Sequence, residues 1–152
     1  MNKINVNISP MFPDVVIPAY QTVGSAGCDV RAYLPEKNPI RIFAGDTKTI
    51  PTGLKFSVPD GYEMQIRPRS GLSLKTKLRI ANSPGTLDSD YRGELMIIME
   101  NVTNTSNSEV INHGDRIAQI VFAPIVQASF LVVESLDETE RGSGGMGSTG
   151  IK

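Results

Sequence analysis

The sequence predicts an all-β sandwich or barrel with one short helix and a flexible, glycine-rich C-terminal tail. Three observations predict it. Short runs alternate apolar and polar residues with the period of a half-buried strand. Clusters of Gly, Pro, Asn, Asp and Ser punctuate those runs at regular spacing. Only one stretch, beginning at Ser70, carries a helix-start signal.

Taken in order, Ile4, Val6 and Ile8 alternate with Lys3, Asn5 and Asn7, which predicts a first strand. Pro10, Pro13 and Pro18 then impose an extended connection. Val23 to Ala32 starts turn-like and ends strand-like, with Asp29 at the transition. Ile40 to Phe43 is a short strand stopped by Ala44-Gly45-Asp46, and Thr47 to Ile50 is another stopped by Pro51. Leu54, Phe56 and Val58, then Tyr62, Met64 and Ile66, alternate on either side of Pro59-Asp60-Gly61, the pattern of two strands joined by a tight turn. Ser70 is a suitable N-cap for the helix. Ile80 to Leu95 reads as a hairpin whose turn formers are Asn82, Ser83, Pro84 and Gly85, and the apolar run continues to Asn101. Asn101 to Ser108 is loop-like and His113-Gly114-Asp115 is a turn. Arg116 to Ala123 is apolar enough for a strand buried on both faces, and Ala128 to Glu134 is the last strand expected. The domain therefore covers 1–136, and 137–152 is a tail that cannot pack a core and stays mobile unless bound.

The 152 residues suit one domain, large enough to bury about 68–70% of its unfolded surface. Fifteen basic side chains nearly cancel sixteen acidic ones, which argues against a general nucleic-acid or membrane-surface binder. Any phosphate recognition must come from a few placed groups. A single cysteine, Cys28, allows neither an intramolecular disulfide nor a thiolate metal cluster and fits a reducing, intracellular compartment. No secretory signal or membrane helix is expected.

Five stretches could carry chemistry. In Asn82 to Glu94, Asp88, Asp90 and Tyr91 follow the turn directly, so one loop could hold a flat ring and activate a water; a polar hairpin with a solvated tip is the plainer alternative. Arg69 and Ser70 at a helix start could bind an anion through backbone N–H groups and a guanidinium, or could simply cap the helix and form a surface ion pair. Arg67 reads as structural. In Gly114 to Gln119, Asp115 and Arg116 are expected to pair, and Gln119 must find a partner in either the fold or a ligand. Asp29 could hold a hard cation or its waters, or be bonded to its own turn. In the tail, glycines could wrap phosphates while Arg141, Ser148 and Thr149 supply donors, or the terminus could be disordered. Cys28 and His113 read as structural, and there is no P-loop signature.

The segments AGCDV (26–30), RPRSGLS (67–73), NSPGTLDSDYRGE (82–94), GDRIAQ (114–119) and RGSGGMGSTG (141–150), in this order, resemble the trimeric dUTPases. The resemblance implies a β jelly roll forming homotrimers with sites between subunits. It implies hydrolysis of dUTP to dUMP and pyrophosphate with Mg2+ on the triphosphate, limiting uracil in DNA and supplying dUMP for dTMP synthesis. On this sequence Asp88 would be the general base. Asn82 to Asp88, with Gly85, would read uracil; Tyr91 would lie beneath the deoxyribose; and Thr86, Leu87 and the backbone near Met96 would complete the nucleoside pocket. Arg69, Ser70, Gly71 and Gln119 would hold the phosphates, and Asp29 would reach the metal through water. The tail would close over a neighbour's site with Arg141, Ser148 and Thr149 on the terminal phosphates.

One departure stands in the tail, where the family's usual aromatic is Met146. Base–aromatic stacking contributes about 1–3 kcal/mol and a methionine–ring contact about 0.3–1.5 kcal/mol, so a looser lid is expected. Two other classes compete with this reading: a non-catalytic nucleotide-sensing protein on the same fold, and the related dCTP deaminases. The latter need a glutamate where this chain has Ile98, which cannot do acid–base chemistry. Asp90 is expected to be a structural partner of the turn or of a neighbouring subunit.

Overall fold

Among the described residues of this computed structural model, no strand pairs with the strand before or after it in sequence. The structure describes residues 3–145. Ten strands, β1 (Asn7–Pro10), β2 (Cys28–Arg31), β3 (Ile40–Ile42), β4 (Thr47–Ser57), β5 (Tyr62–Arg67), β6 (Leu78–Ile80), β7 (Gly85–Leu87), β8 (Glu94–Asn101), β9 (Glu109–Ile111) and β10 (Arg116–Pro124), accompany one helix, α1 (Ser70–Lys75). They form two four-stranded sheets, ordered β1-β4-β8-β6 and β2-β10-β5-β7, and a small β3-β9 ribbon. Every pairing is antiparallel. The all-β expectation holds.

The alternation in sequence explains which faces meet. Ile50, Leu54 and Phe56 of β4 and Leu95, Ile97 and Met99 of β8 are buried from one sheet. Val30, Met64, Ile66, Ala118 and Ile120 are buried from the other, and all belong to one core. Two sheets packed face to face bury one face of each strand in this way.

The same alternation does not say which strand pairs with which. The Pro59–Gly61 turn forms, with Gly61 at φ 82° and the Tyr62 N–H donating to Pro59 O. Yet β4 and β5 lie in different sheets, so the turn is an arch over the core and not a hairpin. Ile80 to Leu95 is corrected likewise: β7 pairs with β5, whereas β6 and β8 pair in the opposite sheet. An arch and a hairpin bury the same alternate residues, so the pattern could not separate them.

Other expectations shift. β4 runs through Pro51 without stopping there, because β1 covers β4 only from Leu54 onward and asks no N–H of Pro51, whose carbonyl accepts the Tyr33 N–H at 2.8 Å. Ser70 is the first helical residue; Arg69 takes the cap position without a side-chain cap bond. The β9 strand was not anticipated. The outer face of β10 is only half-buried, at Gln119, Val121 and Ala123. Ala128 to Glu134 forms no strand: among the described residues it has no ladder partner, and Phe130 is 91% exposed.

Two contacts brace the β2 end. Tyr33 Oη donates to Asp14 Oδ1 at 2.6 Å, which holds the Asp14 carboxyl below its ordinary value and raises the Tyr33 phenol. His113 stacks edge-on against Tyr33, with Nδ1 3.0 Å from Leu34 O, a structural role as expected. Among the described residues no helix is long and apolar enough to cross a membrane.

Candidate functional site

The candidate residues fall into two groups. The first is the arch 88–93, which carries the chain from β7 to β8 and so from one sheet to the other. Asp88 begins it and is exposed, its carboxylate making no hydrogen bond or ion pair among the described residues. The arch is fixed from within. The Tyr91 N–H donates to Asp88 O at 3.2 Å, and Arg92 donates to Ser89 O at 2.6 Å and Tyr91 O at 2.9 Å. Asp90 is exposed and makes no such bond among the described residues, so within the chain it is Arg92, not Asp90, that fixes the turn. The Tyr91 ring is 45% exposed and its Oη donates to Glu94 O at 3.0 Å. The ring lies against Gly93, where a Cβ would stand 2.5 Å from Tyr91 Cζ; only glycine leaves room for it.

Beside the arch, Gly85 is buried between Asn82 and Ile66, with 3.2 Å from a would-be Cβ to Asn82 Nδ2. Asn82 and Thr86 are exposed. The Leu87 side chain is in the core, so this residue can offer a ligand only its backbone. Met96 is exposed on β8 opposite Pro51.

The second group surrounds Asp29. Its carboxylate receives Arg69 Nε at 2.6 Å and Arg69 Nη2 at 3.1 Å, a two-pronged ion pair, and Arg116 Nη1 at 3.2 Å. Arg69 Nη1 also donates to Arg116 O. Asp29 is not bonded to its own turn; its carboxylate is committed to two guanidinia. The expected Asp115–Arg116 pair does not form. Asp115 instead accepts from the Asn112 N–H at 2.8 Å and closes the turn. Gln119 Nε2 donates to Pro68 O at 2.8 Å, and its Oε1 lies over Gly27, where a Cβ would sit 2.5 Å away. Gln119 thus holds the segment that carries Arg69. Ser70 and Gly71 are exposed at the start of α1, with open space around Gly71. A cavity of about 380 Å³ opens beside the cluster, walled by Arg31, Arg69 and Arg116, with Asp115 the acid in its wall. Such a wall attracts anions. Cys28, one residue away, is buried, and burial pushes its thiol above the ordinary value of 9.0. It is therefore no nucleophile.

The two groups stand apart. Leu87 lies opposite Met64, and Arg69 follows the far end of β5, so at about 3.3 Å per residue Leu87 is about 17 Å from Arg69 along the strand and the arch begins one residue further away. One chain does not bring Asp88 to the arginine cluster. Arg141 is exposed, with Nε donating to Gly144 O within its own turn. Met146, Ser148 and Thr149 lie outside the described residues. No group of three or more His, Cys, Asp or Glu side chains among the described residues could hold a metal ion.

Sequence reasoning missed Arg31, which donates to Gly114 O, and Glu94. The signal for Glu94 was available: a carboxylate opening an otherwise apolar strand needs a reason to be there.

Comparison with known proteins bears on both groups. Residues 14–150 match the dUTPase family model. The deoxyuridine 5'-triphosphate nucleotidohydrolase of Roseobacter denitrificans is 54% identical over 136 residues, covering 90% of this chain and 88% of that protein. The protein of the same name from Maricaulis maris is 44% identical with full coverage of both. Among solved structures, a mutant dUTPase of Staphylococcus bacteriophage 80alpha with dUpNHpp superposes with a TM-score of 0.82 at 23% identity, covering 98% of this chain and 100% of that one. A mutant dUTPase from phage phi11 of S. aureus, in which a structural Mg(II) ion is coordinated, gives a TM-score of 0.75 at 23% identity, covering 87% and 98%. At those identities the structural likeness speaks to the fold.

Proposed function

The chain belongs to the dUTPase family, and from that premise we propose that it hydrolyses dUTP to dUMP and pyrophosphate with Asp88 as general base. Asp88 orients a water and takes its proton as the oxygen attacks the α-phosphorus. The α–β bridging P–O bond breaks and pyrophosphate leaves. An exposed aspartate whose lone pairs are uncommitted can accept that proton. The observation that carries the proposal is the arch itself: one rigid loop presents a carboxylate without a partner among the described residues and, three residues on, a ring fixed by Gly93 and Glu94 O. The ring of Tyr91 lies beneath the deoxyribose and leaves no room for a 2′-hydroxyl. Asn82, Gly85, Thr86, the Leu87 backbone and the backbone near Met96 hold uracil.

The triphosphate goes to the arginine-lined cavity and to the free backbone around Ser70 and Gly71. Since one chain keeps these groups apart, a complete site takes the arch from one protomer and the cluster from another, in a homotrimer. The exposed apolar segment from Ile125 to Leu136 is the kind of surface such an assembly would cover. The tail 137–152, through Arg141, Met146, Ser148 and Thr149, closes over a neighbour's site and excludes bulk water. The described residues do not build a protein-held metal site, so Mg2+ is best carried in on the triphosphate oxygens, where such ions usually bind. Asp29 then serves by holding Arg69. Removal of dUTP keeps uracil out of DNA, and the dUMP formed supplies dTMP synthesis.

The test is a panel of dUTP, dTTP, dCTP and UTP with magnesium, followed by pyrophosphate release. Wild type should turn over dUTP alone. Asp88→Asn should abolish turnover while retaining dUTP binding, and Asp90→Asn should retain turnover. Equal use of UTP or dTTP would remove the specificity proposed for the arch.

A further inference from the structure

Resting on that reading of the arch, we propose that Glu94 is a positioning residue that sets sugar selectivity by fixing Tyr91. The observation is a bulge in β4. Pro51 pairs with Met96 and Lys55 with Glu94, so Thr52, Gly53 and Leu54 stand against Leu95 alone. The extra residues leave N–H groups with no ladder partner. Glu94 Oε1 takes two of them, the Gly53 N–H at 2.7 Å and the Thr52 N–H at 3.2 Å. Gly53 itself is pinned. It sits at φ 68°, its carbonyl accepts the Met11 N–H at 2.8 Å, and a Cβ would stand 2.8 Å from Val15. Thr52 Oγ1 donates to Leu95 O at 2.7 Å from a fully buried position. The bulge is therefore a rigid anchor in the sheet.

Glu94 ties the arch to that anchor. Its side chain is bonded to the bulge and its carbonyl receives Tyr91 Oη. Tyr91 in turn donates its N–H to Asp88 O. A continuous chain of hydrogen bonds thus runs from the β4 bulge through Glu94 to the ring and to the start of the arch. Glu94 touches no reacting atom, yet a shift of its backbone moves the floor on which a ribose 2′-hydroxyl would collide. Misplacement of about 1 Å at a site can cost about 10²-fold in rate.

The experiment measures kcat and KM for dUTP and UTP, with melting temperature, on wild type, Glu94→Ala, Glu94→Gln, Tyr91→Phe and the Glu94→Ala/Tyr91→Phe double variant. Glutamine keeps the Oε1 acceptor and should keep the dUTP/UTP ratio of kcat/KM. Glu94→Ala should lower that ratio at least about tenfold, by the same displacement. Tyr91→Phe, which loses only the Oη bond, should lower it similarly with little change in melting temperature. The double variant should be no worse than the poorer single, because both cut one chain of contacts. If Glu94→Ala fails to fold, Glu94→Asp, one methylene too short to reach both N–H groups, carries the same expectation. An active wild type whose ratio is unchanged in Glu94→Ala or Glu94→Asp, even with a lowered melting temperature, overturns the role of Glu94 alone. A wild type inert toward dUTP overturns the reading of the arch and this role with it.

Discussion

Replacing Asp29 by asparagine separates the two things its carboxylate could do. The side chain is 21% exposed, that of Arg69 22% and that of Arg116 48%. Asparagine keeps one acceptor oxygen but turns an N–H2 toward a guanidinium. The fork to Arg69 is charge-assisted and largely shielded, and losing half of it should cost about 1.5 kcal/mol. The Arg116 leg is half in solvent and contributes about 0.5 kcal/mol at most. The sum, about 2 kcal/mol, corresponds to a fall in melting temperature of about 4–8 °C for a chain of this length. That fall should appear with no nucleotide and no metal present. In steady-state assays KM for dUTP should rise, since Arg69 loses its orientation, and raising Mg2+ should not restore it. Melting by calorimetry and a magnesium titration at several dUTP concentrations decide the matter. An unchanged melting temperature together with rescue by excess Mg2+ would refute the arginine-holding role and return Asp29 to the metal.

Two further outcomes follow from other parts of the chain. Tyr33→Phe removes the bond that lowers Asp14 and raises Tyr33. The Asp14 share is present above its ordinary value of 3.8 and is lost as pH falls through the lowered one. The Tyr33 share is present below 10.0 and is lost as pH rises through the raised value. Urea unfolding should therefore find the variant less stable than wild type near neutrality, with the gap closing at both acid and alkaline ends. In the tail, Met146→Phe should improve kcat/KM for dUTP about fivefold, the equivalent of about 1 kcal/mol of added stacking; no improvement in steady-state kinetics would mean that the contact is made elsewhere.

Strand faces were legible because burial leaves a period. Leu54, Phe56 and Val58, or Leu95, Ile97 and Met99, announce an inward face without any knowledge of the partner. The glycine turns at Gly61 and Gly114 were legible for the same local reason. Partners were not, because each ladder joins segments distant in sequence. The Asp29–Arg69 fork spans 40 residues, and no neighbouring residue hints at it. Glu94 looked like the polar start of a strand because the bulge that needs its carboxylate is 41 residues earlier. The apolar run Ala128 to Glu134 has strand composition, but composition cannot say whether the strand to receive it lies within the chain. Within the candidate site, residue types and order marked the segments, while the bonding inside them, Arg92 across the arch and Arg116 to Asp29 instead of Asp115, needed coordinates.

The absence of any hairpin among the described residues governs how the chain reaches this shape. A hairpin forms early and alone; here no ladder can begin until a distant segment exists to meet it. Asp29 and Arg116 are 87 residues apart, which at about 5–20 residues per second is on the order of 4–17 s of ribosomal synthesis. The anion-attracting cluster is therefore among the last features to assemble on a nascent chain, and β2 waits exposed until β10 has emerged. High separation between paired strands also places folding toward the slow, millisecond-to-second end of the range. Every connection between described strands leaves its own sheet, for the opposite sheet or for the β3-β9 ribbon, so neither large sheet can melt or mature by itself.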